Sequence, residues 1–477
     1  MLHYLSHRRT ASLVSLTLLG TYAVLFGSNL TTPGLTRYDE FLTLDRTLGF
    51  LRTGDFFTVY TNCEPCWIKP PLHYYLSTVA IKSGLNPIEG VRIWSVIFAA
   101  ASLWLVHLIT VQLLPEKPWC APAAVLFCGS STHFAEYTRI AMMETGASFF
   151  ILLSIYGPLR ATREPKYWLL WAAGCGLGAL QRAPLAWILS IVWMYGLYRC
   201  AALLGIRCLL KDRWFRLAVV LNVLLSLSWP LLQTLQYGPM YRRHIVSRWL
   251  FRMTSGLDHK EKAGLGFDLS WLRWLWEDSA LFWLITLVAL GWVLSKPALR
   301  KEKAPWLLAP ALPILVGFTF SGGPFYPRYI LAFTPLVAVF TSVTLGRLTK
   351  RGYIPLLLAT LTFFSNGMLP KTPYLQSENT VFDLRAAGHR VATLLKPGEV
   401  PVFVILDDPK AHIFGIEGMS HSFKLADENM ADPTKDHLVV VRSHRLKRLE
   451  RNWSGRTEEV ETIGRFSVVR LISQTAE

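Results

Sequence analysis

The sequence predicts a mostly α, polytopic membrane protein of about eleven transmembrane helices. It also predicts juxtamembrane helices in the first outer loop and a small soluble α/β domain at the C-terminal end. Three observations predict this. Of 477 residues, 52% are hydrophobic and only 17% are charged, less charge than soluble domains carry. Long apolar runs recur as far as residue 368, each able to cross roughly 30 Å of hydrocarbon with some tilt or extension. From Lys371 the composition turns polar and mixed in charge.

Taken in order, the spans read as 10–27, 93–114, 119–135, 143–158, 167–181, 183–198, 217–235, 279–295, 305–320, 328–346 and 353–368. The first is read as a retained anchor, because no small-residue cleavage site follows it. Basic clusters fall at His7-Arg8-Arg9, Glu116-Lys117, Arg160 to Lys166, Arg199 to Arg216, Lys296 to Lys303 and Arg347 to Arg351. The positive-inside bias therefore predicts a cytoplasmic N-terminus. That phase puts three segments outside: a loop at 28–92, a loop at 236–278 and the tail from about 369.

In the tail, PVFVILD (401–407), HLVVVR (437–442) and FSVVRLIS (466–473) read as strands, with an amphipathic helical stretch near Val381 to Leu395. The domain expectation is accordingly 1–368 in the membrane and 369–477 as a soluble domain on the outer face. Net charge is +17, and part of it is the cytoplasmic anchoring. The second outer loop nevertheless holds Arg242, Arg243, Arg248, Arg252, Lys260, Lys262 and Arg273. Positive-inside bias gives no reason for arginines there. Outside the membrane, nucleic acid is excluded as a partner and lipid phosphates are the natural anion.

Five of the seven cysteines lie in or beside spans, where cysteine acts as a small hydrophobe. Cys63 and Cys66 lie in the first outer loop at C-x-x-C spacing. No nearby His or Cys completes a zinc set, and no βαβ pattern supports a redox motif, so a local disulfide or two thiols is the reading. A divalent metal is left open, with no ligand set evident, and no cofactor is assigned.

The first outer loop carries the stronger signal. Arg37-Tyr38-Asp39-Glu40 follows the first span, then FLTLDRTLGFLRTGDFF, whose Phe41, Leu44, Leu48 and Leu51 recur at helical spacing before Gly54. Asp39 and Glu40 thus fall at a helix N-terminus, where acids also serve as caps. Lys69-Pro70-Pro71-Leu72 and an aromatic run come next.

That order, YDEFLTLDRTLGFLRTGDFFTVY then WIKPPLHYYL, resembles the polyprenyl-phosphate-dependent glycosyltransferases of the GT-C fold. The branch it is similar to contains the lipid A aminoarabinose transferase and the dolichyl-phosphate-mannose protein mannosyltransferases. GVRIWS supplies Arg92, TRIAMMETGASFF supplies Arg139 and Glu144, LGALQRAPLAW supplies Arg182, HIVSRW supplies Arg248, and SGGPFYPRYILAFTP supplies Arg328-Tyr329. The chain departs from the aminoarabinose transferase at Phe41-Leu42, where that enzyme has an Arg, and at Ile68, where it has a Glu.

The resemblance implies transfer of a sugar from a polyprenyl-phosphate donor to a glycolipid such as lipid A, a glycan or a protein, at the outer face of the inner membrane. Elementary chemistry then distributes roles. Asp39 is the expected base for the acceptor hydroxyl, with Glu40 beside it. The leaving lipid phosphate gains negative charge, so Lys69, Arg92, Arg182, Arg248 and Arg328 are the expected phosphate-binding groups. Tyr38, Tyr74, Arg139, Glu144 and Tyr329 are expected to meet substrate. A lipid-phosphate flippase or a non-catalytic lipid-binding protein shares the basic surface but gives Asp39 no task. A secondary transporter would be expected to show repeated, broken helices, which this sequence lacks.

Overall fold

The computed structural model describes residues 2–31, 35, 38–61, 64–182, 185–245, 269–320, 327–366, 390–391, 393–395, 402–404, 424–426, 436–443, 446–453, 455–464 and 466–472. The chain forms two compact units. One comprises Met1–Ser28, Trp67–His73 and Arg92–Thr372; the other comprises Asn29–Cys66, Tyr74–Val91 and Pro373–Glu477.

The first unit is helical. Its helices are α1 (Leu2–Gly27), most of α4 (Pro87–Leu113), α5 (Cys120–Gly129), α6 (Thr132–Thr138), α7 (Glu144–Ala161), α8 (Trp168–Gln181), α9 (Leu185–Arg199), α10 (Ile206–Leu209) and α11 (Arg213–Tyr237). They continue as α12 (Ser270–Ser295), α13 (Pro297–Arg300), α14 (Ala311–Phe320), α15 (Thr334–Leu348) and α16 (Ile354–Ser365). Four stretches, His7–Gly27, Pro87–Leu113, Arg213–Tyr237 and Trp271–Ser295, are long and apolar enough to cross a membrane. The chain is a multi-pass membrane protein by these helices and by the fold described below.

Three expected spans differ in form, one of them 328–346, which opens with a 3-10 turn at Pro327–Ala332 before its α-helix at Thr334–Leu348. The run 119–135 is not one helix: α5 stops at Gly129 and α6 begins at Thr132, with Ser131 Oγ accepting from the Phe134 N–H at 3.1 Å. A neighbouring helix stabilises the break. The Asp278 carboxylate accepts from Ser131 Oγ at 2.7 Å, from the His133 N–H at 2.9 Å and from the Trp283 indole at 3.1 Å. Asn366 donates to the Ser130 carbonyl at 2.6 Å. A buried carboxylate deep in a helical bundle survives because Ser131, His133 and Trp283 donate to it. The next residue, Ser279, takes an extended conformation that kinks α12. The run 305–320 also differs, since it opens with a 3-10 turn at Ala304–Leu307 and its α-helix covers only Ala311–Phe320.

At the other end of the same bundle, Lys117 Nζ donates to the Gly346 and Thr349 carbonyls at 2.5 and 2.7 Å, closing the C-terminus of α15 with a cation. Helices α7 and α8 pack especially closely. A Cβ on Gly174 would lie 2.5 Å from the Ser154 backbone nitrogen, so this approach admits only glycine. It matters because α7 and α8 carry Glu144 and lead into Arg182.

The second unit holds α2 (Tyr38–Thr53), a two-residue hairpin of β1 (Tyr60–Thr61) and β2 (Glu64–Pro65), most of α3 (Leu72–Lys82), and a C-terminal sheet. The sheet runs β4-β3-β5-β7-β6, from β3 (Val402–Val404), β4 (Lys424–Ala426), β5 (His437–Arg442), β6 (Arg456–Ile463) and β7 (Phe466–Ile472). Strands β3–β5 pair in parallel and β5–β7–β6 antiparallel. Val439 and Val441 pack with Val469, Leu471 and the helix α17 (Leu446–Asn452) through Leu449. Strand β6 is an edge, and its largely exposed Glu458, Glu459 and Glu461 discourage pairing with another chain.

Candidate active site

In the first unit two of the cations foreseen at separate points of the chain, Arg182 and Arg328, come together. Glu144 opens α7 and is buried; its Oε1 lies 2.5 Å from Arg182 Nη1 and 3.7 Å from Arg328 Nε. Arg182 stands just past the end of α8, where the helix breaks, and Arg328 lies on a 3-10 turn, Pro327–Ala332. Both guanidiniums sit over the face of Tyr329, at 5.5 and 5.6 Å. Ser148 ties the 3-10 turn to α7 by donating to the Leu331 carbonyl at 3.0 Å. Two guanidiniums thus face one carboxylate. An anion is the ligand that such a cluster suits.

Lys69 belongs to the short segment Trp67–His73 that packs with the membrane helices. Its start is held by aromatic contacts: the Trp67 ring lies 5.2 Å from Tyr237 and 5.2 Å from His244. Its end, His73, is buried against Gln181. Between them the segment forms one wall of a cavity of about 460 Å³, lined by Trp67, Ile68 and Pro70 and also by Arg182. Val223, Leu227 and Pro230 of α11 make the wall opposite largely apolar. Lys69 itself is half-buried. An apolar cavity with a guanidinium among its lining residues suits an amphiphile whose head is anionic.

The second unit presents the acidic pair. Asp39 and Glu40 lie in the first turn of α2, Asp39 half-exposed and Glu40 fully buried. Negative side chains are favoured at that helix end. Thr43 donates to the Asp39 carbonyl at 2.9 Å, holding the first turn. At the far end of α2 the chain turns through Gly54 at φ 69°, and Asp55 closes the turn. Its carboxylate accepts from the Phe57 and Thr58 N–H groups at 2.8 and 3.3 Å and from Tyr60 Oη at 2.9 Å. Partial burial works against ionisation, yet these donors together hold the Asp55 carboxyl below its ordinary range.

Other expected residues are placed as follows. Arg92 is buried in the part of α4 that packs with the first unit. Arg139 Nη1 reaches the Phe26 and Ser28 carbonyls at 3.1 and 2.8 Å, so it closes the end of α1. Tyr74, expected to meet substrate, is fully buried, and its hydroxyl accepts from Arg46 Nη1 at 3.1 Å. Burial pushes its phenol up to about 12. The phenol has no exposed surface and braces Arg46. The Tyr38 side chain, Cys63 and Arg248 lie outside the described residues, so the Cys63–Cys66 pairing does too. Among the described residues no group of three His, Cys, Asp or Glu side chains could hold a metal ion.

Sequence reading missed Arg46, Gln181 and Asp278. Arg46 and Asp278 are ionisable residues inside apolar patterns, a signal that was present in the sequence. Gln181 had no such signal beyond its place next to Arg182.

Comparison with known proteins bears on the fold. Residues 15–240, a little under half of the chain, match the family model described as dolichyl-phosphate-mannose-protein mannosyltransferase. A Pseudomonas aeruginosa protein named undecaprenyl phosphate-alpha-4-amino-4-deoxy-L-arabinose arabinosyl transferase is 26% identical over 341 residues, 69% of this chain and 58% of its own. An uncharacterized protein of Aquifex aeolicus is 26% identical over 312 residues, 62% of this chain and 61% of its own. The chain thus matches about three fifths of the length of these relatives. The crystal structure of ArnT from Cupriavidus metallidurans bound to undecaprenyl phosphate superposes with a TM-score of 0.75 at 12% identity, over 98% of this chain and 99% of that one. The chain therefore has the GT-C fold of these transferases and resembles their ArnT and mannosyltransferase branch.

Proposed function

We propose that this protein is an integral membrane glycosyltransferase that moves a sugar from a polyprenyl-phosphate donor, of the undecaprenyl-phosphate type, to a hydroxyl acceptor. The observation that carries this reading is the Glu144–Arg182–Arg328 cluster beside an apolar groove whose other wall is the Lys69 segment. In this reading the groove takes the isoprenoid tail, and Lys69, Arg182 and Arg328 take the phosphate, with Arg92 and Arg248 assigned to the same anion. As the bond from the anomeric carbon to the phosphate oxygen breaks, that oxygen gains charge. Fixed cations then stabilise the transition state more than the ground state. The acceptor hydroxyl attacks the anomeric carbon, and Asp39 is the base that takes its proton. Glu40, Tyr38, Arg139 and Tyr329 are assigned to substrate positioning, and Glu144 orients Arg182.

The acceptor belongs to the class of glycolipids such as lipid A, glycans or proteins. The reaction is placed at the outer face of the inner membrane, on the positive-inside pattern. The rival reading, a lipid-phosphate flippase or a non-catalytic lipid-binding protein, would leave the half-exposed Asp39 without a task. Release of polyprenyl phosphate from a radiolabelled donor by purified protein in detergent decides between them. Release that Asp39→Asn removes is expected, and binding of the donor without any release would overturn the enzymatic reading.

A further inference from the structure

His73 lies four residues beyond Lys69 and is fully buried. Its Nδ1 lies 3.3 Å from Gln181 Nε2, and that same nitrogen lies 3.3 Å from the Met143 carbonyl oxygen. A carbonyl can only accept, so the Gln181 group facing Met143 is the amide NH2. His73 Nδ1 must then be an acceptor as well, which requires a neutral ring protonated on Nε2. Burial lowers the pKa of His73 to about 4, which keeps the ring neutral in that form.

The chain positions give this bridge its meaning. Gln181 directly precedes Arg182, Met143 directly precedes Glu144, and His73 ends the Lys69 segment in the membrane unit. One amide thus ties together the roots of the elements that carry Lys69, Glu144 and Arg182. Gly146, in the first turn of α7, makes room for it: a Cβ there would lie 2.2 Å from Gln181 Nε2 and 2.7 Å from its Cδ. Because Trp67 is anchored on Tyr237 and His244, Lys69 is suspended between two fixed points.

We infer that His73 and Gln181 are positioning residues, whose Met143–Gln181–His73 bridge sets the register of Lys69 against the Glu144–Arg182 pair so that both cations address one anion. The inference deepens the donor-phosphate reading and rests on it for the identity of that anion. The bridge itself can be tested without any donor. In full-length protein in detergent, the rate at which acetic anhydride labels the Lys69 amine is followed by mass spectrometry. Four variants are compared with wild type: His73→Leu, Gln181→Leu, Gly146→Ala and His73→Asn. An Asn Oδ1 falls where Nδ1 stood and can still accept.

Labelling is expected to change by about threefold or more in the first three variants and to stay at the wild-type rate in His73→Asn. Gly146→Ala displaces the amide without deleting any bridge atom, so it reads the same coupling if His73→Leu does not insert stably. Equal Lys69 labelling in wild type, His73→Leu and Gly146→Ala would overturn the inference. Kinetics supply the second arm. His73→Leu should raise the donor KM about tenfold while His73→Asn restores it. The Lys69→Ala penalty should shrink about tenfold in the His73→Leu background, since coupled groups lose their effect together. A labelling shift with no turnover of any polyprenyl-phosphate sugar by wild type would support the bridge and remove the donor reading. Additive Lys69 and His73 penalties would reduce His73 to a packing residue and overturn its positioning role.

Discussion

Asp39 and Asp55 stand at the two ends of α2, and the same side chain is used differently at each. The Asp55 carboxylate is engaged by two backbone N–H groups and the Tyr60 hydroxyl, all within five residues, and it builds the turn that follows Gly54. Asp39 sits half-exposed in the first turn, where the helix favours its charge. Both belong to the stretch that resembles the transferase family. The difference teaches that one residue type can serve two local tasks on a single helix: at one end donors from the following turn fix the carboxylate, and at the other the helix N-terminus favours its charge.

The sharpest way to break this comparison is Asp39→Asn. Turnover should fall by about 10²-fold or more, the range for loss of a general base, while thermal stability in detergent stays within about 0.5 kcal/mol of wild type. A fully active Asp39→Asn enzyme would place the two aspartates in one structural class.

Next in size is Lys69→Ala, which should raise the donor KM by about tenfold or more through loss of a charge-assisted contact to phosphate. Steady-state kinetics against donor concentration checks it, and an unchanged KM and kcat would remove Lys69 from the anion site. Tyr74→Phe should leave both substrate KM values unaltered and lower stability by about 1 kcal/mol, because it leaves Arg46 without its acceptor. A selective rise in KM would instead return Tyr74 to the substrate.

The smallest effect belongs to Asp55→Asn, a loss of a few tenths to about 1 kcal/mol with near-normal turnover. Its pH signature follows from sign. The folded-state pKa of Asp55 is depressed, so its contribution is complete above the unfolded aspartate value and is lost as pH falls through the lower folded value. Unfolding midpoints measured from pH 7 down to about pH 3 should therefore converge between wild type and Asp55→Asn at the acid end. A gap that is constant with pH would show that the carboxylate charge does not stabilise the turn.

Much of the local structure around the candidate site was legible from the chain. Asp39-Glu40, Gly54-Asp55 and Lys69-Pro70-Pro71 each form a short local pattern, and α2 forms where the apolar spacing places it. The Arg46 contact of Tyr74 was not legible, because an aromatic beside a motif looks the same whether it faces a ligand or a neighbouring arginine. Arg139 is a cation near an expected site whose observed partners, the Phe26 and Ser28 carbonyls, are more than a hundred residues away. The break inside 119–135 was hidden because Ser130-Ser131 in an apolar run can continue a helix or cap one. Asp278 selects the cap.

By itself the sequence determined the membrane helices, the basic connections and the order of the motif residues, since hydropathy, charge bias and helical period act locally along the chain. Only the tertiary structure decided that Glu144 faces Arg182 and Arg328, that Gln181 bridges Met143 and His73, and that the Lys69 segment walls an apolar groove. Those arrangements join residues 38 to 184 positions apart. They are set by close helix packing and by the cost of leaving a buried charge or amide unsatisfied, neither of which a linear pattern contains.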